Sequence, residues 1–390
     1  MPESETPLTS STAPTCTAPL PPVPRLAQRI LPDPSDLDET RATDRRDASE
    51  AARHCPPRNC HPLRLVETRE KDRLSMDKKR RHHYVWRRYL EAWETDGRVW
   101  TRIGSGRPKP INPVGLAVET DYYRLRPLSP DDVALLDALV LRNLRPDLRD
   151  MAEAWVSALA MLHGAYLEYE AGRMAPDEKK AFDIALNNVI EDLYAQIEGP
   201  MNPVLDALRV GNAAVLDDSN RLFDFATFLA SQYFRTLSMA KAVTPILESI
   251  PSDYHHSGAV WGAMRLVFSF NLAASLSSRP GALTPLFLDA PAGAEFATGD
   301  QPVINVHTAG VSLQAPTQDL EFLYPLSPQV AILLDATGPR RAASTRRSPN
   351  EDEVARYNAM IAAESSRQIY AQSEQVASQL YAGMPLDWRS

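Results

Sequence analysis

The sequence predicts a mainly helical α+β fold. We expect a helical bundle core with a small antiparallel sheet formed by an N-terminal hairpin, by short C-terminal strands, or by both. Apolar residues recur at helical spacing from about residue 129 to residue 276. Short alternating segments with Gly, Pro and Asp turns follow at about 285–335. Residues 76–390 are therefore predicted to form a single mostly helical domain with a strand-rich part at about 285–335.

Residues 1–75 differ in composition from the rest of the chain. They are rich in Pro, Ser and Thr, carry mixed charge runs and lack a sustained apolar period. Such a segment cannot bury enough apolar surface to fold, so we predict a disordered N-terminal extension. Met76 stands directly before the first ordered pattern, which gives the hypothesis that translation natively begins there.

Cysteine usage and charge favour a cytoplasmic protein. Cys16, Cys55 and Cys60 all lie in this first segment, which argues against a disulfide framework. The pattern HCPPRNCH adds His54 and His61, but its spacing matches no standard zinc finger. The N-terminus lacks the basic start and apolar run of a secretory signal.

A formal net charge of −8 means that any nucleic-acid contact needs a local basic patch.

Residue spacing predicts the individual elements in order. Apolar residues between Val85 and Trp93 lie three and four apart and predict a short helix, whereas 98–103 and 116–125 alternate as extended segments. The predicted helices are 131–143, which follows a Ser-Pro-Asp-Asp start, 146–171, 177–198, 201–210, 219–245, 256–276 and 350–382. The predicted C-terminal strands are 286–288, 295–297, 303–306, 320–324 and 330–334.

The longest apolar segment, 257–276, contains Arg265 near its middle and Asn271 after it. A central arginine is costly in lipid. The segment therefore favours a buried or amphipathic helix over a membrane span, and no membrane partner is expected.

The segment Lys78 to Trp93 combines basic residues with two histidines and several aromatic residues. One interpretation is a nucleic-acid interface from Lys78 to Arg88, in which Arg87 and its neighbours contact phosphates and the rings stack on bases. Another is a general base at His82 or His83, since histidine titrates near neutral pH. The structural alternative is a solvated basic helix start whose aromatic residues pack inward.

A second candidate site lies in the strand–turn–strand pattern around Asp300. Thr298 and Gln301 flank this carboxylate in a tight TGDQP turn. A carboxylate at a strand end is well placed to bind a metal or to act as an acid or base. The structural alternative is a turn aspartate that caps backbone amides.

A third candidate lies on the predicted helix 219–245. Gln232 and Arg235 are three residues apart and share one helix face. Because an unpaired buried arginine is costly, Arg235 is expected either to bind a phosphate or carboxylate or to form a structural ion pair.

These motifs together resemble a bacterial family, domain-of-unknown-function family 4238. The resemblance covers about residues 79–370 and departs from the family pattern at Trp86 and Arg88, where members usually carry Pro and Phe. The matching motifs are HHYVWRRYLEAW, Asp121-Tyr122-Tyr123, Gln232 with Arg235 and Thr236, TGDQPV from Thr298 to Val303, PLSP from Pro325 to Pro328, and Asn358.

The resemblance implies that these polar residues share one site. A cleft holding His, Asp, Asn and Arg suits phosphodiester hydrolysis, with His as acid or base, Asp as metal ligand or base, and Arg as charge stabiliser. A divalent metal fits this chemistry, and the cofactor is otherwise open. The predicted catalytic residues are His82, His83, Arg235 and Asp300, and the predicted ligand-binding residues are Arg87, Gln232, Thr298, Gln301 and Asn358.

Two function hypotheses follow. The first is a nuclease-type hydrolase that acts on RNA or DNA in a bacterial defence or toxin context. The second is a non-catalytic binding or regulatory module in which the same polar residues are structural. A third alternative is a helical phosphate binder with Arg235 as its anchor. The first predicts that loss of His83 or Asp300 abolishes nucleic-acid degradation, and the second predicts that it destabilises the fold.

Overall fold

A computed structural model describes residues 77–250, 256–278, 283–309, 319–336 and 343–386. The predicted N-terminal extension, Met76 and the HCPPRNCH pattern lie outside these residues. The helices of the described part are α1 (Arg87–Leu90), α2 (Pro130–Leu139), α3 (Pro146–Met161), α4 (His163–Glu170), α5 (Pro176–Glu198), α6 (Met201–Arg209), α7 (Ser219–Phe234), α8 (Leu237–Glu248), α9 (Ser257–Ser277), α10 (Glu351–Glu364) and α11 (Glu374–Gln379).

The strands form three sheets. Their bounds are β1 (Arg81–His83), β2 (Val99–Ile103), β3 (Lys109–Ile111), β4 (Val118–Thr120), β5 (Leu286–Asp289), β6 (Thr298–Gly299), β7 (Ile304–Asn305), β8 (Glu321–Pro325), β9 (Val330–Asp335), β10 (Thr345–Arg347) and β11 (Gln368–Ala371). One sheet pairs β1 with β4, the second has the order β10-β5-β9-β8-β7, and the third has the order β3-β2-β11-β6. The mixed α+β class is confirmed, but the prediction of one small antiparallel sheet is wrong, because there are several sheets and β10 pairs with β5 in parallel.

Helices α7 and α9 form the centre of the helical part. Helix α9 is buried around most of its circumference, which is the pattern of a core helix. By length and apolar composition it is the one helix in the described residues that could cross a membrane, and 83% of its most apolar window is buried inside the structure.

The five-stranded sheet joins the helical core to the C-terminal part. On β9, Val330, Ile332 and Leu334 pack into the main core. The alternate residues Ala331 and Leu333 pack into a second cluster. Successive side chains of β9 therefore point to opposite faces of the sheet. The sheet separates the helical core from the second cluster, which α10 covers.

Two predicted helix boundaries are confirmed. Ser129 is the N-cap of α2. Its hydroxyl accepts the Asp132 amide N–H at 3.2 Å, while the Asp132 carboxylate accepts the Ser129 amide N–H at 2.8 Å. This reciprocal cap satisfies two amides that a helix start leaves free. Helix α5 also agrees with the predicted segment 177–198 within one residue.

The predicted helix 219–245 is wrong in its length, because the chain breaks between α7 and α8. Thr236 adopts an extended ψ of 162°, and its hydroxyl accepts the amide N–H of Met239. Thr236 is therefore the N-cap of a new helix. The break matters for the site because it places Arg235 at the end of α7. A second break, at Leu162, separates α3 from α4.

The predicted final helix 350–382 is also wrong beyond Glu364. The chain leaves α10 there and forms β11, which lies between β2 and β6 in the third sheet. All four residues of β11 are buried. The conformation of this segment depends on its pairing with strands that are distant in sequence. The spacing of apolar residues along the segment carries no information about that pairing.

Candidate functional site

His82, at the centre of β1, is buried and fully hydrogen-bonded. Its Nδ1 accepts the backbone N–H of Tyr123 at 2.8 Å, and its Nε2 lies 2.6 Å from the carbonyl oxygen of Lys79. This pattern assigns the proton to Nε2. Burial is the main cause that lowers the pKa of His82, so the ring is neutral near pH 7. These contacts tie β1 to the segment after β4.

Asp300 lies in a sealed turn after β6. Its carboxylate accepts the amide N–H of Ser366 at 2.7 Å and that of Gln368 at 3.1 Å. Burial raises the pKa of Asp300 to about 6, although these amides oppose the shift. The contacts are those of the structural alternative, in which the carboxylate caps backbone amides. They join the TGDQP turn to the entry of β11.

Gly299 allows this turn to approach the chain before β11. A Cβ at this position would lie 2.0 Å from Oγ of Ser365 and 3.3 Å from the carbonyl oxygen of Gln368. A side chain therefore does not fit unless one of these neighbours moves.

Three other predicted ligand-binding residues, Thr298, Gln301 and Asn358, also form hydrogen bonds within the chain. Thr298 Oγ1 lies 2.8 Å from the Tyr89 hydroxyl. Gln301 donates to the Tyr233 and Val303 carbonyls and accepts from Thr236. Asn358 accepts the Ala297 amide and donates to the Glu295 carbonyl. We name Asp300, Thr298, Gln301 and Asn358 the turn lock.

A second group of polar residues surrounds Arg235. The Arg235 side chain is 1% exposed, forms an ion pair with Glu198 and lies over the ring of Tyr194 at 4.8 Å. Burial disfavours its charged form, but the nearby Glu198, Tyr123 and Tyr194 together outweigh that effect and raise the pKa of Arg235. Both Arg235 Nε and Nη1 are buried without hydrogen-bond partners. The guanidinium therefore keeps donors that α5 and α7 do not satisfy.

His83 and Gln232 belong to the same group. Burial is the main cause that lowers the pKa of His83 to about 4, and the charges of Arg81, Arg87 and Arg235 act in the same direction. The Nε2 of His83 and both polar atoms of the Gln232 amide are buried without a partner of hydrogen-bond geometry. Gln232 is nevertheless close enough to Glu198 to favour the carboxylate form.

Glu191 is a member of this group that the sequence interpretation missed. Burial, with a smaller contribution from the nearby Glu198, raises the pKa of Glu191 to about 7, against the opposing effects of Arg235 and the His83 amide N–H. We name His83, Glu191, Glu198, Gln232 and Arg235 the arginine cluster. The sequence carries one signal that could have identified Glu191. Glu191 and Glu198 lie seven residues apart on the apolar face of the predicted helix 177–198.

The predicted nucleic-acid interface from Lys78 to Arg88 has most of its charge paired. Arg80 lies 2.8 Å from Asp121, Lys78 pairs with Asp183, and Lys79 pairs with Asp192. Arg87 and Arg88 both contact Glu91, at 3.3 and 3.0 Å. A paired cation has less charge to offer a phosphate. The role of this segment in binding nucleic acid stays a prediction.

The structure thus divides the predicted site residues into separate surroundings. His83, Gln232 and Arg235 come together in the arginine cluster. Asp300 and its neighbours form the turn lock, His82 contacts backbone, and Arg87 lies on the surface. Their catalytic and ligand-binding roles stay predictions. Among the residues that the structure describes, no group of three or more His, Cys, Asp and Glu side chains is arranged to hold a metal ion.

Comparison with known families confirms the family resemblance. The family described as "Protein of unknown function (DUF4238)" matches residues 81–258 and 267–375. The chain belongs to this family. The match includes the HHY segment, both helices of the arginine cluster and the turn lock, so these features lie within the family domain. No curated protein and no solved structure matches the chain.

Proposed function

We propose that this family member is a non-catalytic binding module, in which the turn lock and His82 hold the polypeptide together. The observation that carries the proposal is the use of the Asp300 carboxylate. It is 0% exposed, and both of its oxygens accept backbone N–H groups at the entry of β11. A carboxylate in this role connects two segments far apart in sequence.

The contacts of His82 support the same proposal. A general base needs a free lone pair that faces a substrate. The Nδ1 lone pair of His82 already accepts the Tyr123 amide, and its Nε2 faces the Lys79 carbonyl. The imidazole of His82 therefore connects two backbone groups, which is a structural role.

The test compares Asp300→Asn with Asp217→Asn, a control at an exposed aspartate. Asn offers one acceptor oxygen where Asp300 uses two, so a buried amide loses its partner, at a cost of about 2 kcal/mol. We expect thermal melts to show a clearly lower Tm for Asp300→Asn and an unchanged Tm for the control. An unchanged Tm in Asp300→Asn, together with loss of an activity that the wild type has on RNA or DNA, would contradict the proposal.

A nuclease-type hydrolase is the second candidate, and the arginine cluster is the observation that favours it. Strongly shifted pKa values concentrate at functional sites, and Glu191 and His83 are both shifted within one cluster that contains an arginine. A carboxyl group that titrates near pH 7 suits proton transfer at that pH.

This candidate is tested by Glu191→Gln and His83→Ala in assays on single- and double-stranded RNA and DNA, with and without added Mg²⁺. The hydrolase candidate predicts degradation by the wild type and its loss in both variants, with folding retained. The binding module predicts no degradation by any of the three proteins.

A further inference from the structure

Arg265, in the third turn of α9, is a buried cation for which the described residues provide no anionic partner. The residue is 6% exposed, and its Nε is buried without a hydrogen-bond partner. The guanidinium lies over the rings of Tyr122 and Tyr123, at 5.8 and 4.9 Å, and no carboxylate in the described part of the chain forms an ion pair with it. Burying an unpaired charge is costly, so this arginine differs from Arg235, whose charge Glu198 balances.

A cavity of about 170 Å³ lies next to this guanidinium. Its wall includes Arg265, Arg124, Arg126 and Trp261. The indole Nε1 of Trp261 is a second buried donor that has no partner. Arg124 already contacts Asp183 at 2.9 Å, whereas Arg126 is exposed at the rim. The cavity therefore has an excess of positive charge. Its lining also includes N–H donors, on Arg265 and Trp261, that have no acceptor in the described part of the chain.

The start of α9 adds to this positive character. Gly258 and Ala259, in its first turn, line the same cavity. The N-cap residue His256 does not cap this turn with its side chain, and the turn contains no acidic residue. The Asp132 carboxylate of α2 accepts the backbone N–H of His256 at 2.6 Å, which leaves the amides of the first turn free. The N-terminus of a helix carries partial positive charge and free amide N–H groups, and it is a common binding site for phosphate. Gly262, one turn further, has open space where a Cβ would lie.

We propose that this cavity binds a small phosphate monoester, with Arg265 as the buried anchor and Trp261 as a second donor. The proposal deepens the binding-module function and rests on it, because it gives the module a ligand class. The alternative in which Arg235 anchors a phosphate is less suited, since Glu198 already balances the charge of that guanidinium.

The number of donors and the size of the cavity favour a phosphate over a carboxylate. Arg265, Arg126, the indole N–H and the first-turn amides exceed what two carboxylate oxygens can accept, whereas a phosphate monoester has three terminal oxygens and a charge near −2. The cavity is smaller than the roughly 300 to 1,000 Å³ of sites for drug-sized ligands. A body of a few carbon atoms on the phosphate fits that space, and the tyrosine rings offer it an apolar wall.

Isothermal titration calorimetry and thermal melts on the full chain test the proposal with glycerol 3-phosphate, inorganic phosphate and glycerol. We expect saturable binding of glycerol 3-phosphate with a rise in Tm, and no effect of glycerol. Tighter binding of the monoester than of inorganic phosphate identifies an organic ligand, and equal binding identifies free phosphate as the source of the anion. No binding of either anion at millimolar concentration would overturn the proposal.

Variants locate the binding in the cavity. Arg265→Met removes the charge and keeps the length of the side chain, so affinity is expected to fall at least about tenfold. Gly262→Leu fills the cavity without changing a charge, and it keeps the test valid if Arg265→Met does not fold. Arg102→Met is the matched control, because Arg102 also lies over a tyrosine ring but does not line the cavity. Unchanged affinity in both cavity variants would contradict the site.

The outcome separates this proposal from the binding-module function. The turn-lock test uses stability without ligand, and the cavity test uses ligand binding. If Asp300→Asn is as stable as the wild type while Arg265→Met loses binding, the turn lock is wrong and the phosphate site stands. If the reverse holds, the site is wrong and the turn lock stands.

Discussion

The turn lock and the cavity beside α9 are both buried and polar, yet they treat their polar groups differently. In the turn lock, the carboxylate and amide side chains are hydrogen-bonded to other parts of the chain. Beside α9, Arg265 and Trp261 keep buried donors without partners. Because an unsatisfied buried donor is costly, the comparison separates groups that stabilise the fold from groups available to a ligand.

The arginine cluster shares a property with each of these regions, because Arg235 has a carboxylate partner but also keeps buried N–H groups without an acceptor. A stack of side chains connects it to the cavity: Arg235 lies over Tyr194, the rings of Tyr194 and Tyr123 are 4.8 Å apart, and Arg265 lies over Tyr123. Arg235, at one end of this stack, has a carboxylate partner, whereas Arg265, at the other end, has none among the described residues. Removing the partner of Arg235 tests whether this pairing has the energetic consequence expected of it.

The largest effect is expected from breaking the buried ion pair. Glu198→Gln leaves Arg235 charged and buried without its partner, which should lower the free energy of unfolding by about 3 kcal/mol or more. Urea unfolding measures this change. Glu168→Gln is the matched control, because Glu168 pairs with Arg173 at the surface, where little change is expected. Equal effects of the two variants would contradict the importance of burial.

A smaller effect is expected from Gly299→Ala in the turn lock. The added methyl group would collide with Ser365 and approach the Gln368 carbonyl, at a cost of about 2 kcal/mol. Gly262→Ala is the control, because its Cβ meets open space. Removal of a helical glycine should stabilise that variant by up to about 1 kcal/mol. Thermal melts that gave both variants the same sign would contradict the packing described for the turn.

The free energy of unfolding is expected to depend on pH through Glu191. Burial raises the pKa of Glu191 from 4.5 to about 7, so the folded chain holds a proton that the unfolded chain releases above pH 4.5. The stability that this group contributes is full below pH 4.5 and is lost as pH rises to 7. Glu191→Gln should therefore flatten the fall in unfolding free energy over this range by on the order of 2 kcal/mol.

Chemical denaturation at several pH values measures this difference. Glu153→Gln, at an exposed position on α3, provides the control and should follow the wild-type profile. A Glu191→Gln profile that is parallel to the wild type between pH 4.5 and 7 would show that this carboxyl group has an ordinary pKa.

Local sequence signals predicted the elements that depend on local contacts. The Ser129 cap and the apolar stripe of α5 are set by residues three and four apart, so their positions can be read from the sequence. The strand β11 could not be predicted in this way. Its residues pair with residues 100–103 on one side and with Thr298–Gly299 on the other, and those partners are distant in sequence.

The same distinction applies to the candidate site. The sequence identified Arg235 as a residue that needs a partner, and an ion pair was one of the two alternatives, but the partner Glu198 lies on another helix. Arg265 was visible only as a charge inside an apolar segment. Its importance depends on the tyrosines after β4 and on the absence of an acidic neighbour among the described residues, and both are properties of the packed structure.

The most direct test of this account is one set of thermal melts on Asp300→Asn and Arg265→Met, each with and without glycerol 3-phosphate. The account predicts a lower Tm for Asp300→Asn with a normal rise on adding the monoester. It predicts a clearly smaller rise on adding the monoester for Arg265→Met than for the wild type, whatever the Tm of this variant without ligand. A normal Tm for Asp300→Asn, with a normal monoester response in Arg265→Met, would contradict both roles.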